Sequence, residues 1–369
     1  MEITENVFEF VDELGPEKIV FLYEPRTRMK AVVVVDNVAA GPAMGGVRMA
    51  TDVTATEVRR LARAMTYKNA MAGLPHGGGK SGIMADPKTV NMEQIIRTFA
   101  RGIKNLQEYI PGPDMGTDES CMAYIYDETC RAVGLPVELG GIPLDQVGAT
   151  GYGVAVCTDV AKDYCSLDLN GARLAIEGFG NVGKPTARFL SEKGVKLVAA
   201  SDSRGTIYNS GGLNVEELIR VKETTGSVIN YKDGEVLKTT DLIMISSDIF
   251  VPAARPDVIT EANSDVLDTK LIIQGANIPI TENAEKMLHD RGILVIPDFV
   301  ANAGGVITAS VEYHGGWETQ AFDRIKSTIS RNTKEILDKV NDEKTYPRET
   351  AVGIAKQRVL RAMKYRKWM

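Results

Sequence analysis

The sequence predicts an α/β protein of two domains, the second a doubly wound, Rossmann-type unit. Three observations carry this. The 369 residues exceed the roughly 100–200 of one domain. Short apolar, β-branched runs alternate with helical periodicity through the second half. A glycine-rich turn, GFGNVG at 178–183, follows a strand-like run and opens a helix-like one.

In chain order, KIVFLYEP and MKAVVVVDN read as strands, bounded by turn or charged residues. After GPAMGGVRM, Thr54 followed by Glu57 makes a capping-box pattern. Val58, Leu61, Ala62 and Met65 recur at helical spacing, so a helix should run to Met71 and stop near Gly73. A second helix is expected from Met92 to Tyr109, ending before PGPD. GYGVAVCTDVAKDY reads as the helix leading out of the first domain. LAIEGFG, VKLVAASDS, LIMISS, KLIIQGAN and ILVIPD are the expected strands of the second. The tail after Glu318 is helical, amphipathic and expected to return to the first domain. The expected boundaries are 1–145, 146–325 and 326–369.

Composition narrows the function. The formal charge of -6 offers duplex nucleic acid no attractive field. No apolar run approaches the about 20 residues that span a bilayer, and MEITENVFEF is acidic rather than leader-like. No membrane or nucleic-acid partner is therefore expected. Cys121, Cys130, Cys157 and Cys165 form no CxxC pair, which suits a reducing, cytoplasmic setting. His76, His289 and His314 are widely spaced, and no metal-site spacing is present. The 35 glycines imply close approach of backbone to backbone or ligand at particular points.

GFGNVG supplies one such point. Gly178 suits the tight turn, Gly180 a pyrophosphate approach and Gly183 close helix–strand packing, with Asn181 and Val182 completing the turn. The bland alternative is a tight strand–helix turn without ligand. Asp202 ends the next strand, where a carboxylate accepts ribose hydroxyls and repels a 2′-phosphate. This favours NAD, while the neighbouring Arg204 keeps NADP open.

MTYKNAMAGLPHGGGKSGI is the densest feature upstream. Lys80 follows Gly77–Gly79, which is expected to be a tight loop presenting that lysine into a confined site. A desolvated lysine there has a lowered pKa and exchanges protons near neutral pH. The other lysine, Lys68, would stay charged and hold a carboxylate. Two solvated lysines beside a flexible loop are the plain alternative. Asp114 in PGPDMGTDE is either a proton relay facing Lys80 or a turn and N-cap aspartate.

With these segments in hand, the chain resembles the amino-acid dehydrogenases of the glutamate/leucine/phenylalanine/valine dehydrogenase family. GPAMGGVRM, MTYKNAMAGLPHGGGKSGI, PGPDMGTDE, ATGYGV, GFGNVG, VAASDSRGTIYN, QGANIPIT and PDFVANAGGV occur in the family's order over about 41–310. The resemblance implies an N-terminal α/β substrate domain, a Rossmann-type nucleotide-binding domain, a cleft between them and a homo-oligomer. It also implies Lys80 as the catalytic lysine and Lys68 on the substrate α-carboxylate. Asp114 would exchange protons with the amino group. Met44, Gly45, Ala309 and Asn302 would lie at the substrate, and Thr150 and Asn277 at the cofactor. The implied reaction is reversible oxidative deamination of an amino acid to a 2-oxo acid and ammonia.

Glutamate-specific members resemble one another in a lysine where this chain has Met44 and a serine where it has Ala309, one residue before Ser310. A γ-carboxylate against those side chains would be desolvated without a partner. The expectation is therefore an aliphatic substrate of leucine, valine or isoleucine type. GANIPIT, PDF and SDSRGTIYN point the other way, toward the glutamate branch. A 2-hydroxy-acid dehydrogenase would be expected to lack the paired lysines. A non-catalytic dinucleotide-binding regulatory subunit is the alternative outside enzymes.

Overall fold

The computed structural model describes residues 11–366. The acidic stretch MEITENVFEF and the last three residues lie outside them. The chain divides into two compact units: Met1–Pro143 with Val306–Ala321 and Val352–Met369, and Leu144–Gly305 with Phe322–Ala351.

The first unit contains β1 (Lys18–Glu24), β2 (Met29–Asn37), β3 (Ala43–Ala50), α1 (Ala55–Met71), β4 (Gly77–Met84), α2 (Met92–Gly102), β5 (Tyr109–Pro113) and α3 (Glu119–Thr129). Its sheet runs β1-β2-β4-β3-β5. The first two pairings are antiparallel and the last two parallel. The valine run of β2 is buried on both faces, as a central strand requires. Val33 and Val35 join Ile95, Ile96 and Phe99 of α2 on one face. Val32 and Val34 join Val58 and Ala62 of α1 on the other. Thr54 caps α1 by accepting the Glu57 N–H at 3.1 Å.

Two expectations in this unit change. Gly77–Gly79 is not a loop but the start of β4, paired on both sides. A Cβ at Gly78 would lie 2.1 Å from the Thr66 nitrogen, so the glycine is what lets α1 press onto the strand. α2 stops at Gly102 rather than Tyr109, because Tyr109 is recruited as the β5 partner of Ala43. GPAMGGVRM, to which no element was assigned, supplies β3 from Ala43 onward.

The second unit contains α4 (Ala149–Ala161), β6 (Arg173–Glu177), α5 (Gly183–Ser191), β7 (Lys196–Asp202), β8 (Gly205–Tyr208), α6 (Val215–Thr225), β9 (Glu235–Leu237), β10 (Ile249–Pro252), β11 (Leu271–Ile273), α7 (Glu282–Asp290), β12 (Leu294–Ile296) and α8 (Asp298–Ala301). Its sheet order is β12-β11-β10-β6-β7-β8-β9, parallel from β12 to β7 and antiparallel beyond. The strand order reverses between β6 and β10, where open α/β sheets bind ligands. LIMISS is not a strand: Thr239–Met244 forms a 3₁₀ turn that buries Leu242 and exposes Met244, and β10 begins at Ile249.

The remaining helices are α9 (Gly304–Tyr313), α10 (Glu318–Glu343) and α11 (Pro347–Tyr365). The expected 146–325 and 326–369 segments are each shared between the units. Residues 306–321 join the first unit through contacts far apart in sequence. The Glu312 carboxylate accepts the Leu135 and Ile142 amides at 3.1 and 2.9 Å, and Ala309 packs with Met44, Ile110 and Val133. Among the described residues, no helix is long and apolar enough to cross a membrane.

Candidate active site

In the first unit, β3, β4 and the end of β5 bring together the groups that carry proton chemistry. Lys80 lies on β4, and Asp114 directly follows β5. The Lys80 Nζ is 3.1 Å from Asp114 Oδ1. Arg48, on β3, donates from Nε to Asp114 Oδ2 at 2.9 Å and from Nη1 to Glu57 at 2.5 Å. Gly46 makes room for them: a Cβ there would lie 2.7 Å from the Asp114 Cβ and 3.1 Å from the Lys80 Nζ.

Lys80 is only 5% exposed. Burial lowers its pKa, and Arg48 adds to the effect against the opposing Asp114 charge. Burial would raise the Asp114 pKa, but the Lys80 ammonium and Arg48 guanidinium outweigh it and hold the carboxyl below the usual range. The arrangement thus keeps a carboxylate ionised beside a lysine that gives up its proton more readily than normal. The N-cap role belongs to Asp118, which accepts the Cys121 amide at 2.9 Å, not to Asp114.

Lys68 lies half-buried in the last turn of α1, the helix pressed onto β4. Gly45 accepts the Tyr109 hydroxyl at 2.9 Å through its carbonyl. Met44 and Ala309 are in one buried cluster with Ile110 and Val133. Met44 is 2% exposed and packs within that cluster.

The second set of expected residues gathers along the C-terminal ends of the second sheet. Gly178 follows β6 with φ +92°, and a Cβ on it would meet the Ala254 nitrogen after β10 at 2.7 Å. Gly183 cannot carry a Cβ either, which would lie 2.1 Å from the Gly178 carbonyl oxygen. Over Gly180, by contrast, a Cβ meets nothing within 4 Å. The turn is therefore closed where packing needs it and open where a phosphate would approach, which fits a dinucleotide. Asn181 donates to Asp145 at 3.0 Å, and Val182 immediately precedes α5. Thr150 begins α4, close enough that a Cβ on Gly305 would lie 3.1 Å from its hydroxyl. Asn302 donates to the Gly275 and Ala276 carbonyls and to Asn277 Oδ1 at 3.1–3.2 Å, tying the strand ends together.

Sequence reasoning missed Arg48, Glu57, Gly46 and Lys222. Arg48 was legible in part: it stands two residues after Gly46, hence on the same face of a strand. Lys222, 2.7 Å from Asp202, is 20 positions away and left no local signal. His76 was noted only for spacing. Its Nε2 lies 3.1 Å from Ser310 Oγ, and burial, with His314 nearby, pulls its pKa down to about 4.

The family description "Glutamate/Leucine/Phenylalanine/Valine dehydrogenase" matches residues 140–367, and its dimerisation domain matches 21–131. The chain is 42% identical over 358 residues to a glutamate dehydrogenase of Aeropyrum pernix, covering 90% of this chain and 85% of that protein. It is 36% identical to an NADP-specific glutamate dehydrogenase of Saccharolobus shibatae, covering 89% and 83%. Its fold matches a Leu-bound hetero-hexameric glutamate dehydrogenase from Thermus thermophilus with a TM-score of 0.87 at 28% identity, covering 95% and 90%. These relatives overturn the expectation of a leucine-, valine- or isoleucine-type substrate. Met44 packs against Ile110, Val133 and Ala309, so an uncharged side chain there follows from its own packing and does not by itself select an aliphatic substrate. The chain belongs to the glutamate/leucine/phenylalanine/valine dehydrogenase family and is an amino-acid dehydrogenase that uses NAD or NADP.

Proposed function

We propose that the protein catalyses the reversible oxidative deamination of glutamate to 2-oxoglutarate and ammonia. Its glutamate dehydrogenase relatives support the substrate. The observation that carries the chemistry is the buried Lys80–Asp114 pair at 3.1 Å.

On this reading Lys68 holds the α-carboxylate, and Asp114 takes a proton from the α-amino group. The coenzyme, when bound, would supply the redox chemistry as acceptor of the α-hydrogen. Lys80, easily deprotonated, takes a proton from the water that attacks the imino carbon and stabilises the resulting carbinolamine. A proton returned by Asp114 to the nitrogen lets ammonia leave as the C–N bond breaks, and the carbinolamine hydroxyl releases its proton to solvent as the carbonyl forms. Gly45 and Asn302 border the substrate, with Thr150, Asn277, Asn181, Val182 and the glycines 178, 180 and 183 about the coenzyme. Met44 and Ala309 bring no charge to a γ-carboxylate, so other groups bind it.

The match to a dimerisation domain supports assembly with further copies of the chain, and four free cysteines suit a reducing cytoplasmic setting. The test is ammonia-dependent oxidation of NADH and NADPH with 2-oxoglutarate, 4-methyl-2-oxopentanoate and 3-methyl-2-oxobutanoate in parallel. The highest kcat/KM is expected with 2-oxoglutarate. A clear preference for either branched acid would reject glutamate as the substrate.

A further inference from the structure

Beside Lys80 the pairing of β3 with β4 opens. The two strands pair at Met44–Gly78 and again at Val47–Ser81. Between these points Gly45 and Gly46 pair only with β5. The opening is narrow: a Cβ on Gly45 would lie 1.7 Å from the Gly79 carbonyl oxygen.

Tyr109, the first residue of β5, reaches into this opening and is fully buried. Its ring lies against Gly79, where a Cβ would meet Cδ2 at 2.9 Å. Its hydroxyl donates to the Gly45 carbonyl at 2.9 Å, with the Gly46 carbonyl at 3.4 Å. The Ser81 Oγ lies 2.9 Å from the same hydroxyl. A phenol has one hydrogen and a carbonyl only accepts, so Ser81 is the donor to Tyr109. Burial and the Asp114 charge raise the Tyr109 pKa against the effect of Ser81, so the phenol keeps its hydrogen. Alternation along β4 puts Gly79 and Ser81 on one face and Lys80 on the other. Tyr109 thus touches the residue on each side of Lys80, while the lysine itself meets Asp114 at 3.1 Å.

We propose that Tyr109 is a positioning residue for the proton-transfer pair. The chain of hydrogen bonds from Ser81 through the Tyr109 hydroxyl to the Gly45 carbonyl ties β4 to β3 where their own ladder is interrupted, and so fixes the Lys80–Asp114 contact. This rests on the reading of that pair as the proton-transfer site. Tyr109 acts through the two strands and not on the reacting atoms.

The experiment is steady-state kinetics of the wild type, Tyr109→Phe, Ser81→Ala and the double variant, with thermal melting alongside. The substrate is whichever of the three 2-oxo acids above the wild type prefers, with ammonia and coenzyme. Phenylalanine keeps the ring and removes only the oxygen. Tyr109→Phe is expected to lower kcat about tenfold, less than the about 10²-fold of a 1 Å misplacement, with KM for the 2-oxo acid changed by less than about twofold. Ser81→Ala should lower kcat about threefold in the wild-type background. It should add nothing to Tyr109→Phe, where the serine has already lost its acceptor. Should Tyr109→Phe fail to fold, the kcat of Ser81→Ala decides alone. An unchanged kcat in folded Tyr109→Phe, a change confined to KM or melting temperature, or losses that multiply in the double variant overturn the positioning role. A wild type that prefers a branched acid rejects glutamate as the substrate, and the same ratios still decide Tyr109. A wild type that turns over none of the three overturns the Lys80–Asp114 reading and the role of Tyr109 with it.

Discussion

Asp114 and Asp202 stand in the two units with the same company, one lysine and one arginine, yet the surroundings differ. Asp114 receives only side-chain cations, Lys80 and Arg48, above a glycine strand. Asp202 receives two backbone amides, a hydroxyl and Lys222. Both carboxyls are held below their usual range against the opposing effect of burial. In the first, neutralisation depends on a buried lysine that is itself pulled down, so a proton can move between the partners. In the second, backbone donors fix the carboxylate and the proton has no reason to move. Similar residue types therefore surround two carboxylates that differ in the source of their donors.

That contrast can be broken most severely at Lys80. Lys80→Met should lower kcat by about 10³-fold, within the range for loss of an acid–base group, with titrated coenzyme affinity unchanged. Gly46→Ala should follow at about 10²-fold, because its methyl displaces the Asp114 and Lys80 side chains by a fraction of an ångström or more. Circular dichroism should report an intact fold.

Arg48→Met sharpens the comparison through pH. It removes a cation that favours ionised Asp114, so the acid limb of kcat/KM should move up by about one pH unit. An unmoved limb would mean that Arg48 does not set the state of Asp114.

The smallest effect is expected from Asp202→Asn, a loss of about 1–3 kcal/mol of stability near neutral pH. The Asp202 pKa is depressed in the folded state. Its contribution is therefore present above the unfolded value of about 3.9 and lost as pH falls through the folded value. The gap in melting temperature between wild type and variant should close in strong acid.

Much of the fold was legible because periodicity is local. β1, β2, α1 and the GFGNVG turn need only neighbours in sequence to declare themselves. The strand character of Gly77–Gly79 was hidden because glycine carries no propensity for strands; the cause is Thr66, pressed against Gly78 from α1. The return of residues 306–321 was equally hidden, since Glu312 finds its amide donors about 170 positions away. At the candidate site, Lys80 and Asp114 stood out through their glycine-rich settings. Met44 misled because a motif position says nothing about burial, and here its neighbours are Ile110, Val133 and Ala309. The lysine that pairs with Asp202, Lys222, lay on a helix the motif does not include.

The most direct test compares wild type with Lys80→Met in ammonia-dependent turnover of 2-oxoglutarate, each checked for coenzyme binding. The wild type is expected to turn over, and the variant to bind coenzyme normally but to be slower by about 10³-fold. Near-wild-type turnover in the variant, or none in a coenzyme-binding wild type, would contradict this.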